Sequence, residues 1–249
     1  MNLEELLEYT AEQYLDDRVD LIEGDPDELW SDSFLVHQLN EAQRILARRA
    51  WAIIEYGVAP AGVVTLVTGK SLYRLHDSIL KVYDATPTTQ TAPLGRTDDI
   101  VLRNPYPKNS DAFSTGEAAA LAGTANTGVP IAIATDAASK SLRVYPVPTS
   151  TQNGLQLLFK VARYPVTYLT MSDLLACPEI PDEWHIAMCE FAAGKALTLP
   201  NVDSDNKVDG RKLLEKFDET VREARRDRQR REINDSRWGF SSQTSLLGY

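Results

Sequence analysis

The sequence feature that most constrains the fold is a pair of helical patterns within residues 179–232, separated by a polar break. Pro181 stands at the start of the first pattern, where its missing N–H costs nothing. The apolar residues of the first pattern share one helix face: Trp184, Met188, Phe191 and Ala192. The second pattern has a face of the same kind: Leu213, Leu214, Phe217 and Val221. Both patterns therefore predict helices that bury one face, and we expect Trp184, Phe191, Leu213 and Phe217 to be mostly buried.

The second pattern then loses its apolar residues. Residues 222–231 contain six arginines and two acids. A helix end this polar cannot be held by a core of its own. It is a solvated end, a contact with nucleic-acid phosphate, or a protein interface, where arginine is enriched. The apolar tail that follows favours a protein partner, because phosphate binding does not require such a tail.

The last fourteen residues, 236–249, have no helical or strand period and are rich in serine. They nevertheless hold large apolar side chains that are costly to leave in water. We expect an extended C-terminal tail that becomes ordered on a partner protein. The candidate partner-binding residues of the helix end and the tail are Arg222, Arg225, Arg226, Arg228, Arg230, Arg231, Trp238, Phe240, Leu246, Leu247 and Tyr249.

The opposite end of the chain is acidic. Residues 1–30 hold eleven acids and one base, and residues 2–16 predict an amphipathic helix. An acidic helix and a basic helix either attract each other, within a chain or between chains, or form two solvated faces. The candidate inter-subunit residues are Glu4, Glu5, Glu8, Glu12, Asp16 and Asp17. The formal net charge of −10 argues against a general nucleic-acid binder.

The middle of the chain predicts short strands. A second helix begins at Ser31 or Asp32 and is expected to stop at Gly57. From Pro60 onward, β-branched runs alternate with turn residues, with hairpins expected around 136–140 and 148–154. Helices that flank a β block can still pack together. The prediction is an α+β fold with four parts: N-terminal bundle helices at 1–59, an inserted small antiparallel β domain at 60–170, C-terminal bundle helices at 171–235, and the extended tail at 236–249.

Motifs for chemistry are weak. TLVTGKSL at 65–72 lacks the first glycine of a phosphate-binding loop, since Val64 occupies that position. Cys177, His185 and Cys189 are a possible zinc trio without an evident fourth ligand. We therefore expect no catalytic residue, no metal and no cofactor. No apolar run approaches the ~18 residues of a membrane span, so no membrane association is expected.

Several short sequences taken in order resemble the head-to-tail adaptor, or connector, proteins of tailed bacteriophages. The matching pieces cover about residues 29–232 and are Leu29-Trp30-Ser31-Asp32, the stretch Leu39 to Ala50, Gly128-Val129-Pro130, the stretch Leu142 to Pro148, Arg163-Tyr164-Pro165, the stretch Glu179 to His185, and the arginine-rich helix. Two departures concern the β domain: His76 follows Leu75 where relatives often have proline, and residues 84–128 are longer than in such relatives.

The resemblance implies a virion structural protein without enzyme activity. Such adaptors form a ring, usually of about twelve copies, beneath the portal protein, with distinct complementary faces on each copy. They extend the channel for passing genomic DNA, which they do not bind sequence-specifically, and they dock tail proteins (nozzle, or stopper and tube). The expected location is the head–tail interface of the virion, after assembly in the host cytoplasm. The alternatives are a DNA-binding or packaging accessory protein that uses the arginine-rich helix, and a metal-dependent enzyme built on the possible zinc trio.

Overall fold

A computed structural model describes residues 1–15, 30–90, 92–96, 127–135, 138–199, 202 and 204–243, with the side chains of 204 and 231–243 excepted. The chain forms two compact units, one made of Met1–Ile53 with Tyr164–Tyr249 and the other of Ile54–Arg163. The predicted α+β class is confirmed, because helices and β-sheets are both present. The acidic pair Asp16 and Asp17 lies outside the described residues.

The first unit is helical. Its elements are α1 (Leu3–Thr10), which continues as a π-helical turn (Ala11–Leu15), α2 (Asp32–Ala50), a short 3₁₀ turn (Asp182–Trp184), α3 (His185–Leu197) and α4 (Ser204–Gln243). Side chains fix the starts of two helices. Asn2 and Glu5 form a reciprocal capping box on α1, and the Ser31 hydroxyl accepts a hydrogen bond from the Phe34 N–H on α2.

Helix α3 is the centre of the helical unit and contacts α1, α2 and α4. Of its residues, Ile186 and Lys195 alone are exposed. A helix that is apolar on nearly all sides is buried on nearly all sides. Phe191 and Phe217 are buried as predicted, with ring centroids 4.8 Å apart.

Trp184 and Leu213, in contrast, are half-buried and not mostly buried. Trp184 ends the short 3₁₀ turn and stands directly before α3. At this position before the helix, Trp184 packs against the helical core with only part of its side chain.

Helix α2 ends earlier than expected. Its last residue is Ala50, and Trp51 takes the left-handed conformation with φ 52°. The predicted stop at Gly57 is wrong, because Ile54–Tyr56 forms a strand that pairs with residues 160–162. Pairing with a distant strand overrides the weak helical preference of this segment.

The second unit is made of β-structure. Its strands are β1 (Ile54–Tyr56), β2 (Val63–Thr65), β3 (Leu72–Arg74), β4 (Ile79–Pro87), β5 (Gly95–Arg96), β6 (Ala132–Ala134), β7 (Ser141–Tyr145) and β8 (Gln156–Arg163). In the first sheet, β8 pairs antiparallel with β4 and with both β1 and β2. Leu157, Phe159 and Val161 alternate along β8 and are fully buried, as the period of two requires.

The second sheet has the order β3-β7-β6-β5. β6 and β7 pair antiparallel, in agreement with the hairpin predicted around 136–140. Two expectations are wrong. The segment 148–154 is no hairpin, since β7 and β8 belong to different sheets. The β domain is also not purely antiparallel, because β5 pairs parallel with β6.

The tail prediction needs a partial correction. The backbone of residues 236–243 belongs to α4, where an extended chain was expected. Each residue added to an existing helix gains a hydrogen bond without a new nucleation cost, so a helix can continue through a segment with little periodicity. Leu246, Leu247 and Tyr249 lie outside the described residues.

Candidate interaction surfaces

The long helix α4 is attached to the helical unit at a close crossing with α3. A Cβ atom on Gly194 of α3 would lie 2.9 Å from the Leu214 side chain, and one on Gly210 of α4 would lie 2.9 Å from Cβ of Leu197. Real Cβ atoms do not approach so closely, so only glycine permits this spacing of the backbones. Glycine is unfavourable inside a helix. The presence of one glycine within each of the two helical patterns was therefore a sequence signal for this close contact.

Polar pairs fix the same helix just beyond the crossing. Lys216 Nζ lies 2.5 Å from the buried Glu190 carboxylate, and this hydrogen bond raises the pKa of Lys216. The Tyr14 hydroxyl donates to the same carboxylate over 3.4 Å, and burial raises the pKa of Tyr14. Arg49 of α2 lies 2.5 Å from Asp218. The part of α4 that follows the crossing is therefore fixed to the rest of its unit by ionic contacts as well as by apolar ones.

The arginine-rich stretch follows the last part of α4 that packs on the core. Phe217, Val221 and Ala224 are the last buried residues of α4, and no described side chain after Ala224 is buried. Arg222, Arg226 and Arg230 recur every four residues, which places them on the opposite side of the helix. All three side chains are exposed.

The other candidate arginines have different surroundings. The guanidinium of Arg225 lies 5.6 Å from the ring centroid of Trp51 at the end of α2. This is a cation–π contact within the helical unit. Arg228 is half-buried. Arg231, Trp238 and Phe240 lie in α4, and their side chains are not among those that the structure describes.

The acidic candidates lie on α1 and its π-helical continuation. Glu5, Glu8 and Glu12 are exposed on one face, whereas Glu4 is half-buried. Glu5 also accepts the N–H of Asn2 in the capping box, so part of its role is structural. Within the described part of the chain, Glu8 and Glu12 form no salt bridge. The structure therefore leaves an acidic face on α1 and a basic face on α4.

The possible zinc trio is not assembled. Cys177 is exposed, whereas Cys189 is buried and its thiol donates to the Leu6 carbonyl at 3.7 Å. The Nε2 of His185 lies 2.9 Å from the Ile180 carbonyl and its Nδ1 lies 3.0 Å from the amino group of Met1. No cluster of three metal-ligating side chains occurs among the described residues. His185 and Cys189 are core residues of α3 in this structure.

Two polar residues of α2 have a role that the sequence reasoning did not identify. Asn40 forms two hydrogen bonds of 2.9 Å with the backbone of Leu169, and Gln43 accepts the N–H of Glu179 at 2.7 Å. Together they hold the irregular segment that precedes α3. Gln43 is fully buried between Leu39 and Leu46. The sequence signal for this role was a polar residue, Gln43, at a position that helical spacing places among the apolar residues of α2.

Among the described residues, no helix is both long enough and apolar enough to cross a membrane. No curated protein matches the chain. The family profile described as SU10 adaptor protein matches residues 1–239. Because this match includes nearly the whole sequence, the chain belongs to the SU10 adaptor protein family, and the resemblance to bacteriophage head-to-tail adaptors is confirmed.

Proposed function

We propose that this protein is a head-to-tail adaptor of the phage virion that assembles beneath the portal as a ring of about twelve copies. In this position the ring extends the DNA channel and offers a docking surface to the tail proteins. The family match is the observation that carries the proposal. The role is structural rather than enzymatic, and the protein reaches the head–tail interface after assembly in the host cytoplasm.

The ring requires two different complementary faces on each copy, because a head-to-tail interface is heterologous. The exposed carboxylates of α1 supply one acidic face, at Glu5, Glu8 and Glu12. Together with Glu4, Asp16 and Asp17 they form the proposed inter-subunit set. Opposite charges speed docking and suppress wrong orientations, even where each exposed pair adds little affinity.

The portal contact is assigned to the end of α4. Arg222, Arg226 and Arg230 form an exposed stripe, and arginine is enriched where proteins meet. The proposed portal-binding set also includes Arg225, Arg228 and Arg231, and the apolar residues Trp238, Phe240, Leu246, Leu247 and Tyr249. The net charge of −10 suits a channel through which DNA passes without being bound.

Mass photometry of the isolated chain, with and without purified portal, tests the assembly. The free protein is expected to be monomeric at 27.7 kDa and to add a ring of about 330 kDa to the portal complex. A stable dimer in both conditions would contradict the ring.

The portal surface is tested with a triple variant, Arg222→Gln, Arg226→Gln and Arg230→Gln. Portal binding should weaken at least about tenfold, since several charge pairs are lost together. The control is Arg211→Gln with Lys212→Gln, which removes two positive charges from an earlier, exposed part of the same helix. Deleting 236–249 should abolish attachment and leave the melting temperature nearly unchanged.

The second candidate is a DNA-binding or packaging accessory protein. The observation that favours it is the same arginine stripe, since arginine pairs well with phosphate. Binding to duplex DNA whose affinity falls steeply with salt, and which the triple arginine variant loses, would support this candidate. If the protein does not bind duplex DNA in this way, the adaptor function is favoured over this candidate.

A further inference from the structure

The strand β3 is an edge strand with an unusual local charge. Within the described residues it pairs with β7 alone and stands at one end of its sheet. The Ser71 carbonyl accepts the Val144 N–H, and the Leu75 N–H donates to the Lys140 carbonyl, both on the β7 side. In an antiparallel pair these bonds alternate along the strand. The backbone groups of Leu72 therefore face away from β7, as an incoming strand requires.

Three cations surround this strand although the protein as a whole is acidic. An open cleft of about 590 Å³ has Lys70, Leu72, Tyr73, Arg74, Asp77 and Lys140 in its lining. Lys70, Arg74 and Lys140 oppose the single carboxylate of Asp77. Two of the cations contact that carboxylate, Arg74 at 3.3 Å and Lys140 at 3.5 Å. The cleft still carries a surplus of two positive charges in a chain of net charge −10.

Two of the three cations, Lys70 and Lys140, are held in position by the fold. The Tyr73 hydroxyl donates to the Lys70 carbonyl at 2.8 Å and accepts the Val67 N–H at 3.0 Å, which fixes the loop before β3. Lys70 Nζ then lies 5.2 Å from the Tyr73 ring centroid. Lys140 has φ 49°, a conformation that few residues other than glycine adopt, and its ammonium donates to the Asp77 carbonyl at 2.6 Å. Side chains held in this way lose little freedom when a ligand binds.

The neighbouring surface is apolar. A second cleft of about 320 Å³ shares Arg74 and Asp77 with the first and is otherwise lined by Pro60, Ala61, Val63, Val64, Leu75 and His76. Leu72 on β3 is 41% exposed. A phosphate backbone would not use apolar walls or a strand edge, whereas an extended peptide uses both. The chemistry therefore favours an acidic peptide over a nucleic acid.

We propose that the edge of β3 binds the acidic segment 16–29 of a second copy of this chain by strand addition. That segment contains seven acids and one arginine, and Val19 and Leu21 alternate with Asp20 in it. Charge complementarity with Lys70, Arg74 and Lys140 selects it, and its apolar residues match Leu72 and the second cleft. The inference rests on the proposed self-association and names one of the contacts that produce it.

Fluorescence anisotropy of a labelled peptide of sequence 16–29, titrated with the full-length protein at low salt, tests the charge contacts. Saturable binding is expected, and the double variant Lys70→Gln with Arg74→Gln should weaken it about tenfold. The control Lys81→Gln removes a lysine with a similar aromatic contact, 4.4 Å from the Tyr83 ring, in the other sheet. A peptide with all acids changed to amides should not bind.

The strand-addition step has its own pair of variants. Leu72→Pro removes the N–H that faces the free edge and keeps the bonds to β7, and edge strands tolerate proline. It should abolish peptide binding, whereas Leu72→Ala keeps the N–H and should retain most of it. Unchanged circular dichroism of both variants confirms that they fold.

The inference is overturned if the peptide does not saturate, if the Lys70/Arg74 variant binds as well as the unaltered protein, or if Leu72→Pro and Leu72→Ala behave alike. Rings that form on the portal without peptide binding would refute this contact and leave the proposed function intact. Peptide binding without any ring would instead count against the proposed function.

Discussion

Gly194 and Gly210 face each other reciprocally across the crossing of α3 and α4. A Cβ on either residue would lie 3.0 Å from the carbonyl oxygen of the other. Gly194→Ala and Gly210→Ala must therefore separate the two helices, although alanine is the better helix former by about 1 kcal/mol. We expect each change to lower the free energy of unfolding by about 1–3 kcal/mol, as overpacking does. Urea denaturation measures the effect.

A matched control for the glycine variants is Gln229→Ala, an exposed position on α4. It should alter stability by less than about 0.5 kcal/mol. If the glycine variants behave like this control, the close approach of the two backbones is not what holds α4.

Phe217 and Trp184 are expected to differ as core residues. Phe217 is 2% exposed and packs on Phe191, so Phe217→Ala should cost about 3–5 kcal/mol. Trp184 is half-buried, and Trp184→Ala should cost less despite the larger side chain. Thermal unfolding of the two variants shows whether burial or side-chain size determines the loss of stability. Equal losses of stability would mean that the partial exposure of Trp184 has no influence.

The two cysteines should differ in reactivity. Burial raises the pKa of Cys189 to about 11, and the thiolate is the reactive form. Cys177 is exposed. In the native protein, a thiol reagent at pH 8 should label one cysteine quickly, and the second only after denaturant is added. Cys177→Ser should remove the fast phase. Rapid labelling of that variant would mean that Cys189 is accessible.

His185 should make stability depend on pH. Burial lowers its pKa below the usual 6.5, and the nearby charged groups are the amino group of Met1 and the carboxylates of Asp182 and Glu5. The unfolded chain therefore binds the proton more readily than the folded one. The stabilisation is complete above about pH 6.5 and is lost as the pH falls through the folded pKa.

Urea midpoints between pH 7.5 and 5 should record this loss, ahead of most carboxylate titration. The exposed His37 is the control, and His37→Gln should keep the same pH dependence. His185→Gln should flatten it. An unchanged slope in that variant would assign the effect to another group.

The sequence predicts elements that depend on interactions between residues close together in the chain, and it does not predict those that depend on distant residues. The alternation of Leu157, Phe159 and Val161 is a local pattern, so the central strand β8 was predictable from the residues alone. The end of α2 was not, because Ile54 becomes a strand residue only by pairing with Ala162, which is distant in the sequence. The parallel pairing of β5 with β6 was hidden for the same reason.

The candidate surfaces show the same division. Helical spacing was enough to place Arg222, Arg226 and Arg230 on one face, and burial in the structure agrees with it. The cluster of Lys70, Arg74 and Lys140 could not be found in this way, since it needs the register that sets Arg74 opposite Ser141. Charges that are far apart in the sequence become a surface only through the sheet.

The continuity of α4 gives its last packed residue a mechanical role. Lys216, Asp218 and Ala224 all hold the helix beyond the glycine crossing. From Ala224 to Gln243 the helix advances about 28 Å, at 1.5 Å per residue. A bend of about 5° at Ala224 would displace the far end by roughly 2.5 Å. The arginine-rich end can therefore shift by a few ångströms while the packing of the helical core stays unchanged.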